Sequence, residues 1–136
     1  MDREEIRERL RAFPYDQSGY WLAAGGAMVW HGLREQTADI DLGCSTALAD
    51  RLEADGFLIG RTEDGQRRFR CGELVEVFEN WLCGGVETLD GLPVVTLRGL
   101  LEMKRALGRE KDRQDIERIL ARLDRGESMN ETGDKA

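Results

Sequence analysis

Two aspartates separated by one residue are the side chains best placed to do chemistry. Asp39 and Asp41 lie in the segment TADIDL, residues 37–42, and the alternation of polar and apolar residues predicts a strand over residues 37–43. Residues i and i+2 of a strand share a face, with Cα atoms roughly 6.6 Å apart. Two carboxylates at that spacing repel each other unless a cation lies between them, and Mg²⁺ prefers carboxylate oxygens. The pattern predicts a divalent-cation site, with two solvated acids on a half-buried strand as the alternative.

A third acid, Glu76, lies in the segment LVEVF, residues 74–78, which predicts another strand. A leucine and a phenylalanine share its face, and an acid among apolar side chains is costly to bury unless it is paired or binds a metal. A neighbouring strand could bring Glu76 beside the two aspartates. Glu73 and Glu79 flank this strand on the opposite face and are predicted to be solvated.

A glycine pair, Gly25-Gly26, separates a predicted strand at residues 20–24 from a predicted helix at residues 27–31. Glycine lets the backbone approach a phosphate closely, and the amides that open a helix point toward such a group. The pair therefore predicts a phosphate-binding turn, and an ordinary strand–helix turn is the alternative.

Lys104 lies in the middle of the apolar face of a predicted helix over residues 96–107. A lysine there must extend to solvent, form an ion pair or serve a buried site. Asp112 opens the last predicted helix, residues 112–123, on the side of its apolar residues. The sequence supports two hypotheses: an ion pair of Lys104 with Asp112 that joins the two helices, and a contact of Lys104 with a triphosphate.

The elements that must position these residues form one domain. The chain has 136 residues, about the size of one domain, and 40% of them are of the hydrophobic types. Helices and strands alternate at first, and two hairpin strands are predicted at residues 57–60 and 66–70. We expect an α/β or α+β fold, a mixed sheet flanked by helices, over residues 1–125. The polar residues 126–136 are expected to form a disordered tail.

Composition and charge narrow the functional classes. The net charge of −7 disfavours a general DNA-binding protein. Residues 98–125 hold nine basic and six acidic side chains, which suits an anionic substrate such as a nucleotide or RNA and also suits two ordinary solvated helices. No apolar run approaches the roughly 20 residues that cross a membrane, and the charged N-terminus is not a signal peptide. The three cysteines follow no disulfide or zinc pattern, so we expect a cytoplasmic protein.

Together these motifs resemble those of the nucleotidyltransferase superfamily, most closely its small bacterial branch of AbiEii-type toxins and antibiotic nucleotidyltransferases. The resemblance spans roughly residues 20–123. Its motifs are GGAMVWHGLR at residues 25–34, TADIDL at 37–42, a third acid at Glu76 and KRALGREKDRQDI at 104–116. Two departures stand out: many members have Gly-Ser at the glycine pair, and the third acid is often Asp.

The resemblance implies a nucleotidyltransferase-like fold and Mg²⁺-dependent transfer of a nucleoside monophosphate from an NTP to a hydroxyl acceptor, with release of pyrophosphate. Three carboxylates would hold Mg²⁺, or Mn²⁺ in its place, and act in catalysis: Asp39, Asp41 and Glu76. Five residues would bind the nucleotide: Gly25, Gly26, Arg34, Thr37 and Lys104. For Arg34, a surface ion pair is the alternative.

The acceptor implied by the resemblance is a tRNA, a protein or a small antibiotic, and a partner protein or a second copy of the chain could complete the site. The short chain leaves little beyond the core to bind an acceptor. This favours an alternative function, a catalytically weak or inactive module of the same fold that binds nucleotide or a partner protein, as in toxin–antitoxin systems. A plain interaction domain with scattered surface acids is a third class. The tryptophans are predicted core residues, with base stacking as the alternative.

Overall fold

A computed structural model describes residues 1–82 and 84–135, with side chains for 1–82 and 84–126. Within these residues the α-helices are α1 Arg3–Ala12, α2 Ala24–Trp30, α3 Thr46–Ala54, α4 Leu97–Leu107 and α5 Arg113–Lys135. The strands are β1 Tyr20–Ala23, β2 Ile40–Cys44, β3 Leu58–Arg61, β4 Arg67–Arg70, β5 Val75–Glu79, β6 Val86–Leu89 and β7 Leu92–Val95. No helix in this part of the chain is long and apolar enough to cross a membrane.

The seven strands form one mixed sheet in the order β3-β4-β5-β2-β1-β7-β6. Strands β2 and β5 are parallel, as are β1 and β7, and the remaining neighbours are antiparallel. Helices pack against the sheet, and their buried side chains join those of the central strands in one hydrophobic cluster. The predicted mixed sheet with flanking helices is confirmed.

Local signals set the ends of several helices. Asp2 and Glu5 form the predicted capping box at the start of α1, in which each side chain accepts from the other residue's backbone amide. Thr96 caps α4 by accepting from the Gly99 amide. Gly108 ends α4 with φ of 61°, a left-handed conformation that glycine adopts without a Cβ penalty.

Two predicted boundaries near the glycine pair and the aspartates are wrong. Gly25 and Gly26 lie inside the first turn of α2, which begins at Ala24 rather than after the pair. Strand β2 begins at Ile40, so Asp39 lies before the strand and the strict i, i+2 argument does not apply to it. The motif still brings both aspartates to the same end of β2.

Glu79 is not solvated as predicted. Its side chain shares the buried face of β5 with two valines, and its Oε2 accepts from Arg67 Nη2 at 2.7 Å. The hydrogen bonds from Arg67, working against burial, lower the pKa of Glu79 to about 2. An isolated carboxylate could not lie on this face, and the arginine that permits it comes from the neighbouring strand β4.

The C-terminal segment differs from the expected tail. Helix α5 covers Arg113–Lys135 and therefore most of residues 126–136, while residue 136 lies outside the described residues. The domain boundary at residue 125 stays a prediction. Cys83, one of the three cysteines considered above, also lies outside the described residues.

Candidate functional site

Three charged side chains stand in one row across three neighbouring strands. Asp41 on β2 is the register partner of Glu76 on β5, and Glu76 is the register partner of Arg70 on β4. Paired residues of adjacent strands point to the same face of a sheet. Arg70 Nη2 donates to Glu76 Oε1 at 2.6 Å. The structure thus places the second aspartate and the third acid side by side, and it adds an arginine that the sequence did not single out.

Asp41 carries an unfavourable charge. Partial burial, followed by repulsion from Asp39 and Glu76, raises the pKa of Asp41 to about 6, while Arg109 acts in the opposite direction. The other two predicted carboxylates are therefore close enough to Asp41 to influence it. A cation at this point would relieve the repulsion, and oxygen donors are the ligands that hard divalent cations take.

Asp39, Asp41 and Glu76 supply the oxygen ligands that a divalent cation takes, but their side chains do not converge on one position. Among the described side chains, no group of three or more Asp, Glu, His or Cys residues is arranged to hold a metal ion. Glu76 is engaged by Arg70 instead. A metal that used all three acids would require Glu76 to exchange its arginine partner for the cation. The metal-binding roles of Asp39, Asp41 and Glu76 stay predictions.

The glycine pair allows the start of α2 to lie against the loop that precedes β2. A Cβ on Gly25 would be 2.6 Å from Thr37 Oγ1 and 2.8 Å from Arg34 Nη1, closer than real Cβ contacts. A Cβ on Gly26 would be 2.8 Å from Leu22 Cδ1. The structure therefore brings Gly25, Arg34 and Thr37 together, and it supplies a packing reason for glycine. Their predicted role in nucleotide binding stays a prediction.

Ala24, immediately before the pair, has φ of 51°. This left-handed conformation brings the Cβ close to the backbone and costs roughly 1–2 kcal/mol for a residue other than glycine. Ala24 also lines the same cleft as Asp41. Backbone strain of this kind is concentrated at binding sites and switch regions.

Lys104 is buried in an ion-pair network between α4 and the start of α5. Its Nζ lies 3.1 Å from Asp112 Oδ1 and 3.1 Å from Asp115 Oδ2. Arg109 Nε donates to Asp112 at 2.7 Å, and Arg34 donates to Asp115. Although burial opposes it, hydrogen bonds from Arg109 and Lys104 hold the pKa of Asp112 below its usual value. The predicted Lys104–Asp112 pair is confirmed, and a contact of Lys104 with a triphosphate stays a prediction.

A cleft of about 490 Å³ begins at Asp41 and runs between α4 and the ends of β4 and β5. Arg109 and Lys104 lie at its Asp41 end, and Phe78 and Trp81 form part of its wall. Sequence reasoning missed the arginines of this site, Arg70 and Arg109. The segment RRFR, which forms the whole of β4, is a usable signal for Arg70, but only strand pairing shows which acid it meets.

The comparisons with known proteins support the fold. No protein-family model matches this chain, and no curated protein sequence matches it. A crystal structure from Thermotoga maritima, described as that of a "putative nucleotidyltransferase", is similar with a TM-score of 0.60 and 14% identity. The match covers 100% of this chain and 97% of that chain. At this identity the similarity shows the fold alone: the chain has a nucleotidyltransferase-like fold.

Proposed function

We propose that this protein is a nucleotidyltransferase that transfers a nucleoside monophosphate from an NTP to a hydroxyl acceptor and releases pyrophosphate. The observation that carries the proposal is the row of Asp41 and Glu76 on adjacent strands at one end of an open cleft. Its position matches the acidic motif that the sequence shares with the superfamily. A pKa raised by burial and by neighbouring carboxylates, as at Asp41, is a feature expected of a functional site.

The proposed division of roles follows from where each side chain lies. Asp39, Asp41 and Glu76 would hold Mg²⁺, or Mn²⁺. The bound ion would neutralise the triphosphate and make the acceptor hydroxyl easier to deprotonate. Glu76, once released by Arg70, would accept the proton of that hydroxyl. Arg70, once released, would stabilise the negative charge that develops on the leaving pyrophosphate.

The nucleotide phosphates would lie near the turn between β1 and α2. Gly25 and Gly26 would offer backbone amides there, and the side chains of Thr37 and Arg34 lie against Gly25 at the same turn. In this proposal Lys104, which is held between two aspartates, would also direct its positive charge toward the triphosphate.

The finer assignment rests on the sequence motifs. We propose membership of the branch that contains AbiEii-type toxins and antibiotic nucleotidyltransferases. A cytoplasmic location accompanies that proposal, together with an acceptor drawn from tRNA, protein or small antibiotics. A partner protein or a second copy of the chain would contribute to the acceptor-binding surface.

A second candidate function is a nucleotide-binding module of this fold with little catalytic activity, as in a toxin–antitoxin pair. The ion pair between Arg70 and Glu76 favours it, since that contact withholds one of the three acids from a metal. The two candidates differ in whether Glu76 is released when nucleotide and divalent cation are present.

Label transfer tests both candidates. The protein is incubated with each α-labelled NTP, Mg²⁺ and either total RNA, a protein extract or an aminoglycoside, and both label transfer and pyrophosphate are measured. We expect one NTP to support transfer by the wild type and not by Asp41→Asn. The control variant is Asp90→Asn, an exposed acid that lines no part of the cleft. Nucleotide binding without pyrophosphate release would favour the second candidate, and no nucleotide binding would contradict both.

A further inference from the structure

The cleft that begins at Asp41 has an aromatic wall with a fixed position. The rings of Phe78 and Trp81 lie 5.0 Å apart, centre to centre, at an angle of 61°. Trp21 Nε1 donates to the Trp81 carbonyl at 2.9 Å, which anchors the backbone of the wall. The Trp21 indole lies directly over Gly43, where a Cβ would be 2.0 Å from Nε1. Gly43 is therefore required for this arrangement, because any larger residue would displace the indole.

Helix α4 supplies the opposite wall. Leu100, Met103 and Leu107 line the cleft at spacings of three and four residues, which places them on one face of the helix. Leu107 is 49% exposed and Leu82, beside Trp81, is 37% exposed. The cleft therefore presents apolar surface to solvent from both sides. A slot with one aromatic wall and one aliphatic wall accepts a flat ring, which buries both of its faces on entering.

The distance from the slot to Glu76 is comparable to the length of a nucleoside. Phe78 is two residues along β5 from Glu76 and projects from the same face, so roughly 7 Å separates their Cα atoms. The cleft is also lined by Gln66 and Asn80, and Asn80 Nδ2 donates to Gln66 Oε1 and to Thr46 Oγ1, both at 3.2 Å, so the amide groups that would face a base are Gln66 Nε2 as donor and Asn80 Oδ1 as acceptor. Carboxamides offer a donor and an acceptor side by side, which is the combination that a base edge pairs with.

We propose that this slot binds the nucleobase of the donor nucleotide, with the ring against Phe78 and Trp81 and the phosphates toward Asp41 and Arg109. The inference rests on the proposed function for the class of ligand, and it adds the residues that recognise the base. It assigns Trp81 a binding role in place of the core role expected from the sequence. The cleft volume, about 490 Å³, lies within the range of small-molecule sites.

Calorimetric titration of the full chain with each of the four NTPs and with inorganic tripolyphosphate separates base recognition from phosphate recognition. The variant Trp81→Leu removes the aromatic face, Trp81→Phe restores one, and Tyr15→Leu is a control at another partly exposed aromatic residue outside this cleft. Base–aromatic stacking is worth a factor of roughly 5 to 150 in affinity. We expect Trp81→Leu to weaken NTP binding by such a factor with tripolyphosphate binding unchanged, and Trp81→Phe to retain most of the affinity.

Leu107→Gln is a second variant, which keeps the test valid if Trp81→Leu fails to fold, because Leu107 is 49% exposed and lies outside the core. It should weaken NTP binding and spare tripolyphosphate. NTP binding that is unchanged in the variants, or that falls in parallel with tripolyphosphate binding, overturns the base site while leaving the proposed transfer intact. If Trp81→Leu weakens the binding of a short RNA and leaves NTP binding unchanged, the assignment of the slot to the donor nucleotide is overturned. Wild-type protein that binds neither NTP nor tripolyphosphate contradicts the proposed function as well.

Discussion

Replacement of Asp41 by asparagine should make the folded protein more stable at neutral pH, although it removes the group most central to the proposed site. Burial and two neighbouring carboxylates raise the pKa of Asp41 from 3.8 to about 6. Between these values the unfolded chain loses the proton first, so stability falls as the pH rises through this range. Below pH 4 both states keep the proton and the cost disappears, whereas above about pH 6 the full cost is present.

The size of this effect follows from the two pKa values. Their difference corresponds to about 3 kcal/mol at 1.36 kcal/mol for each tenfold change. Because the Asp41 side chain is partly exposed, solvent screening reduces the expected gain to about 1–2 kcal/mol. For a domain of this size that gain corresponds to a rise in Tm of roughly 3–8 °C. Asparagine has the same shape, so the change in charge is isolated from a change in packing.

Thermal melting at pH 8 and at pH 3.5, with EDTA present, measures the gain. Asp41→Asn should have a higher Tm than the wild type at pH 8 and the same Tm at pH 3.5. The control Asp90→Asn should show no gain at pH 8, because Arg3 and Arg7 lower the pKa of Asp90 and favour its charge. A gain of equal size at both pH values, or none at pH 8, would refute the claim that burial and the neighbouring carboxylates raise the pKa of Asp41.

Three further predictions concern the ion pairs around the cleft. Lys104→Met should lower the unfolding free energy by about 3 kcal/mol in urea titrations, since it leaves two buried carboxylates short of a cation, and Arg105→Met on the same helix should be close to neutral. Glu79→Gln should destabilise the protein at pH 7 and not at pH 2. The lowered pKa of Glu79 contributes stability that is present above about pH 4.5 and is lost as the pH falls toward 2. Equal losses of stability at both pH values would contradict this reasoning. Arg70→Gln should tighten Mn²⁺ binding several-fold, as measured by calorimetry, because it frees Glu76. The control is Arg68→Gln, which should change Mn²⁺ binding less, because Arg68 stacks on an aromatic ring. Weaker Mn²⁺ binding in Arg70→Gln would mean that Arg70 orients Glu76 for the metal.

The sequence was sufficient where the signal is local. Apolar periodicity predicted α4 and the position of Lys104 on its apolar face, and the Asp2 capping box marked the start of α1. Alternation predicted β5, with Glu76 and Glu79 on opposite faces of the strand. These features depend on residues within one or two turns or on a single strand, so no knowledge of pairing is needed to find them.

Features that depend on strand pairing were missed. The local sequence predicts a solvated Glu79, because its partner, Arg67, lies twelve residues away on β4. Arg70 was overlooked for the same reason, since nothing in the local sequence says which acid it will face. Strand β6 was not predicted, because its side chains are mostly exposed and its apolar signal is weak. The helical position of Gly25 follows from tertiary packing against Thr37, which overrides the low helix propensity of glycine.

The unfavourable features of this protein occur together, and that coincidence is itself an argument for function. Ala24 adopts a left-handed conformation at one end of the cleft, and Asp41 holds a carboxylate among two others at the same end. Glycine at position 24 would relieve the first cost and asparagine at position 41 the second, without any demand on the rest of the fold. By contrast, the buried charges of Lys104 and Asp115, which join α4 to α5, are paired with each other. A chain maintained for stability alone would keep the paired network and lose the strained turn and the crowded acids, so their presence at one site indicates a task that requires them.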